Sequence, residues 1–191
     1  MFNDKFSLEQ LVLQKIKTMT RRVALDEPLE NMEVMYDTKT HQCCICSGNF
    51  VVKRSQYAVG DIIAIAQSYN TIEKEINRLG LPLDIKPELY KVPGFKNKMF
   101  VKAELMPHHI KITNIKVERL QDISDEDAIR EGIVKIEDSE FNFYPYIDEN
   151  INFFNYFTPR GAFSQLIDNV SGKGTWEKNP LVFVYEFELI D

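Results

Sequence analysis

The stretch from Leu181 to Leu189 alternates Leu181, Phe183, Tyr185, Phe187 and Leu189 with Val182, Val184, Glu186 and Glu188. Period-two alternation over this length is the mark of a strand with one face on a core. A second long segment shares the period. Ile110, Ile112, Asn114 and Lys116 alternate with Lys111, Thr113, Ile115 and Val117 on the way to Leu120, and this length predicts a bent strand. Any fold for the chain has to be built around these two strands.

Other segments carry the helical period. Leu8, Leu11, Val12 and Ile16 follow Ser7, a candidate N-cap with Gln10 in capping-box position, so a helix should deliver Lys17 at its end. Thr18 to Leu25 then turns into a strand. A helix is expected from about Thr71 to Leu79, stopped by Gly80. Ser124 caps another, with Asp127 in its first turn, running through Arg130 and Glu131 to Gly132. Thr158-Pro159 opens a fourth, containing Ala162, Phe163, Leu166, Ile167 and Val170, with Gly172 and Gly174 after its end.

Shorter strands are expected at Phe50 to Lys53, at Ile62 to Ala66 after the turn Tyr57 to Asp61, and at Phe100 to Leu105. Asp26 to Gly48 reads as a loop or hairpin excursion, Pro82 to Lys98 as a loop, and Phe141 to Phe157 as an aromatic-rich segment. The class is α+β. At 191 residues a single domain is the natural expectation.

The formal charge of -6 argues against a strong grip on duplex DNA, where cations must neutralise phosphates. Locally, Lys15, Lys17, Arg21 and Arg22 form a basic segment, and the acidic stretch Asp122 to Asp127 is placed to face it. No run approaches the roughly 18 apolar residues of a membrane span, and the start has no signal-peptide plan. A cytoplasmic location is therefore expected. Cys43, Cys44 and Cys46 are too close together for a disulfide framework, so reduced thiols are expected.

Four segments, in order, resemble the ASCH family: Lys17-Thr18-Met19-Thr20-Arg21-Arg22, Tyr57-Ala58-Val59-Gly60-Asp61, Val117 to Gly132, and Gly172 to Pro180. The resemblance covers most of the chain and is nearest to the larger, phage and prophage type. It implies a PUA-like mixed β-barrel with flanking helices and insertions at about 26–48, 71–98 and 133–156 of a single domain spanning 1–191. PUA domains bind RNA, so the resemblance implies RNA or a modified nucleoside as partner, held in a cleft between the first helix-to-strand junction and the Ser124 helix.

One small bacterial branch similar to this family hydrolyses N4-acetylcytidine with a Lys, a Thr three residues on, and a Glu on the helix after the long strand. Lys17, Thr20 and Glu131 stand at those positions. A lysine whose pKa is lowered by burial can take the proton of a Thr hydroxyl, and a carboxyl can hold that lysine or protonate the leaving amine. Arg21 and Arg22 are candidates for binding an oxyanion or phosphate, with Lys111, Gln67 and Trp176 as further ligand contacts. Gln67 is an amide where larger members carry a glutamate. The resemblance implies no cofactor.

Plainer readings stand beside these. Lys17 and Thr20 also suit a solvated helix end and a strand pair, Glu131 a solvated helix residue, and Trp176 a core plug. The His41 to Cys46 cluster has zinc-ligand chemistry but lacks a distant second Cys pair, so no metal is expected. A non-catalytic RNA-binding module and a ligand-free interaction protein are the rival functions.

Overall fold

In a computed structural model, the structure describes residues 8–27, 29–78, 90–135, 143–145 and 156–191. The two long strands are neighbours. The main sheet is antiparallel and orders β1 (Met19–Leu25), β9 (Leu181–Leu189), β6 (His109–Arg119) and β5 (Ile62–Ala64). It curls into a half-barrel. The bend expected in β6 is a register shift between Ile112 and Asn114, where one residue more than the partner strand supplies is accommodated.

Alternation gives this sheet two faces. Thr20, Ile110, Ile112, Ile115, Tyr185 and Phe187 fall on the concave side. Met19, Arg21, Lys116, Glu118, Val184 and Glu186 fall on the other, beneath α3 (Asp125–Arg130) and α4 (Pro159–Ser171). Both helices start as expected: the Ser124 hydroxyl accepts from Asp127 N–H and the Thr158 hydroxyl from Gly161 N–H. Phe163, Leu166 and Ile167 of α4 are buried in the main core with Leu11, Met19, Leu120, Ile133 and Val184.

The excursion after β1 is a three-stranded meander, β2 (Met32–Asp37), β3 (Gln42–Ser47) and β4 (Phe50–Arg54). The cysteines therefore lie on a strand and not on a loop. Cys43, Cys44 and Cys46 are free and buried, and Cys43 and Ile45 join the main core, as expected of a thiol acting as a small hydrophobe.

Phe100 to Leu105 is not a strand. It folds into 3-10 turns at Lys98–Phe100 and Ala103–Leu105, the first capped by the Asn97 side chain on Met99 N–H. Phe100 is exposed, and the segment packs through Met106 against Tyr69 and Ile72 of α2 (Tyr69–Arg78). Apolar residues alone do not make a strand where no ladder partner is offered. The short pair β7 (Ile133–Lys135) and β8 (Phe143–Pro145) and the helical turn α5 (Thr175–Lys178) complete the elements. Ser7, the Leu79-Gly80 stop, residues 82–89 of the Pro82 to Lys98 loop and most of the Phe141 to Phe157 segment lie outside the described residues. Among the described residues, no helix is long and apolar enough to cross a membrane.

Candidate functional site

The first helix, α1 (Leu8–Leu13), ends before Lys17. Lys15 takes φ 60°, Lys15 N–H bonds Val12 O and Ile16 N–H bonds Leu11 O, the two bonds of a Schellman stop. That reversal aims Lys17 across the core at the end of α3, where Thr18 N–H also bonds Arg130 O at 3.0 Å. Gly132, at φ 104°, makes the approach possible: a Cβ there would stand 2.9 Å from Leu11 Cδ1 and 3.7 Å from Lys17 Cδ.

Lys17 and Glu131 meet as expected. Lys17 Nζ donates to Glu131 Oε2 at 2.6 Å and to the Glu131 carbonyl at 2.7 Å, with the lysine only 2% exposed. Arg21 completes the carboxylate, donating from Nη1 to Oε1 at 3.1 Å. The same guanidinium donates from Nε and Nη2 to Glu118 Oε1, at 3.0 and 2.6 Å, and from Nη2 to Asp127 Oδ2 at 3.1 Å. Its carbon lies 5.9 Å from the centre of the Phe163 ring. Lys116 bridges Glu118 and Asp127 from the rim, at 2.8 and 3.4 Å. Lys17, Arg21 and Lys116 thus face Glu118, Asp127 and Glu131, a balanced network in which every carboxylate has a cationic partner.

Burial pushes the Lys17 pKa down, and the Glu131 carboxylate acts against it without overcoming it. For Arg21 the balance is reversed. Burial alone would lower its pKa, but Glu131 and Glu118 hold it above the ordinary value. Burial would likewise raise Asp127, yet Lys116 and Arg21 keep it below the usual carboxylate range.

Thr20 does not join this group. One residue along β1 from Arg21, it turns to the opposite face. Its hydroxyl accepts from Arg22 Nη1 at 2.8 Å, and among the described residues neither Lys17 nor Glu131 bonds it. Thr20 and Arg22 line a cavity of about 30 Å³ with Tyr57, Ile112, Tyr185 and Phe187. The amine, hydroxyl and carboxyl are therefore divided between the two faces of one sheet.

The other candidates are dispersed. Lys111 is exposed on β6, on the side away from the concave cavity, paired in register with Ile62 and Glu188. Trp176 is half-buried on α5, edge-on to Phe163 at 6.2 Å and beneath Arg160 at 5.5 Å. Gln67 is buried past the end of β5, in the wall of a larger cavity beside α1 and α2. Among the described residues no group of three or more His, Cys, Asp or Glu side chains is arranged to hold a metal ion.

Sequence reasoning did not single out Glu118 and Lys116, which complete the Arg21 cage. Their signal was two opposite charges at i and i+2 flanking Val117, on one face of the strand. The facing of basic and acidic segments is realised through Arg21 and Asp127. No protein-family model matches the chain, nor does any curated protein or solved structure.

Proposed function

We propose that this chain is a PUA-like domain of the ASCH type that binds RNA or a modified nucleoside on the concave face of its half-barrel and holds the ligand without cleaving it. The observation that carries the reading is the Arg22 guanidinium bonded to the Thr20 hydroxyl beside the half-buried ring of Tyr57, which stands edge-on to the buried Tyr185. A cation, a hydroxyl and aromatic rings are what phosphate, sugar and base require. The cavity has room for one or two waters, so a base would lie over its mouth. The three free thiols fit a reducing compartment, in keeping with the cytoplasm.

Binding is favoured over hydrolysis because Lys17 is committed to Glu131 and is not bonded to Thr20. Fluorescence anisotropy with a short single-stranded RNA, at about 50 and about 200 mM salt, tests it. Affinity should fall with salt and with Arg22→Ala. Absence of binding at the lower salt removes the reading.

One observation favours hydrolysis of an acyl amide such as that of N4-acetylcytidine: burial lowers the Lys17 pKa, as a general base requires. Turnover followed by absorbance, abolished by both Thr20→Ala and Lys17→Ala, would establish it.

A further inference from the structure

The pleat of β3 divides the three cysteines. Cys43 joins the main core with Ile45, whereas Cys44 and Cys46 turn to the opposite, outer face of the meander and belong to neither apolar cluster. That outer face carries a third sulfur. Met35 pairs in register with Cys44 from the neighbouring strand β2, and its Sδ lies 3.8 Å from Cys46 Sγ on the diagonal. Two thiols and a thioether therefore share one patch.

Both thiols are covered, with Cys44 2% and Cys46 3% exposed, but the side chains that touch them are open to solvent. Met35 is 54% exposed, and Arg54 belongs to β4, a strand exposed along its whole length. An ion has a path in once these two swing aside. Arg54 pairs across the sheet with Cys44 and places Nη1 3.4 Å from its sulfur, while Asp37 Oδ2 holds the same nitrogen at 2.9 Å. Glu33, opposite Cys46, is the other charge on this face, and it is exposed.

We propose that Cys44, Cys46 and Met35 form a site for a soft monovalent cation, Cu(I), held by two thiolates and one thioether. Sulfurs bound about 2.3 Å from one ion at the corners of a triangle stand about 4 Å apart. The 3.8 Å between Cys46 Sγ and Met35 Sδ matches this. The two cysteines are about 6.6 Å apart along β3, and staggered rotamers that lean their sulfurs together close the triangle. Binding exchanges two S–H bonds for two Cu–S bonds, releases two protons to the buffer and changes no oxidation state. The resulting complex carries one negative charge, and the Arg54 guanidinium beside Cys44 offsets it. Zinc suits the place less well, because it takes four nitrogen, thiolate or carboxylate ligands. Among the described residues no three His, Cys, Asp or Glu side chains gather to supply them, and Cys43 faces the core. The site shares no residue with the concave cavity and stands whether or not RNA binds there.

Competition for Cu(I) against a chromophoric Cu(I) chelator, with the whole reduced chain and without air, tests it. The chain should withdraw one Cu(I). Cys44→Ser and Cys46→Ser should each weaken uptake by more than the about 10- to 100-fold typical of an outer-shell change, and Arg54→Gln by about that factor. Met35→Leu, at an exposed position, should also weaken uptake, and with Arg54→Gln it decides the matter if the serine variants fail to fold. Cys43→Ala, folded by circular dichroism, should keep it. No withdrawal of Cu(I), uptake that survives the loss of Cys44 and Cys46, uptake untouched by both Met35→Leu and Arg54→Gln, or tighter binding of Zn(II) than of Cu(I) overturns the site.

Discussion

Replacing Lys17 by methionine conserves most of the side-chain volume while removing the ammonium that joins α1 to α3. Two charge-assisted bonds, at 2.6 and 2.7 Å, disappear. The carboxylate of Glu131 remains buried with Arg21 as its one partner among the described residues. Hydrogen bonds to charged groups contribute about 1.5–3 kcal/mol each, and breaking a buried pair by removing one member costs about 3–5 kcal/mol. Lys17→Met should therefore lose about 3–5 kcal/mol. In urea unfolding, with a slope near 2 kcal/mol per molar, the midpoint should fall by about 1.5–2.5 M.

The double variant Lys17→Met with Glu131→Leu should recover part of that loss, because no unpaired charge is then buried. Arg21 keeps Glu118 and Asp127 in that variant. A loss below about 1 kcal/mol for Lys17→Met, or a double variant no better than the sum of the singles, would refute the assignment of this pair to holding the fold together. It would also reopen a chemical role for a lysine kept buried at the fold's expense.

Three further outcomes follow from the geometry. Gly132→Ala should cost at least about 1 kcal/mol in the same urea assay, since φ is 104° and the new methyl would press on Leu11. Lys15→Gly should instead stabilise by about 0.5–1 kcal/mol, because Lys15 holds φ 60° at the helix stop, where glycine is unstrained. In acid, Asp127 and Glu186 are held below the ordinary carboxylate values by Lys116 and Arg21, and by Arg130 and Asn114, against the opposing effect of burial. Their contribution is complete above about pH 4.5 and is lost as pH falls through the depressed folded values, so Asp127→Asn should flatten the fall of thermal stability measured below that pH.

Local periods and caps determined a good part of this protein. The alternation in Leu181 to Leu189 gives β9 with those boundaries, the run from Ile110 gives a long strand with a shift in its register, and Ser124 and Thr158 cap the helices they precede. These features depend on neighbours within a few residues. A capping hydroxyl reaches only two or three positions, and period two fixes which side chains share a face.

Which face meets which partner was decided by the tertiary structure. Lys17 and Glu131 are 114 positions apart, and only the stop at Lys15 and the bare Gly132 bring them together. Thr20 is separated from them by the pleat of β1, although it stands only three positions from Lys17 in the sequence. The cysteines form a strand because β2 and β4 flank them, whereas Phe100 to Leu105 has no such neighbours and coils into short turns. Strand pairing and buried ion pairs are made between distant segments, and their energy depends on a desolvated environment that exists only once the chain has closed around them.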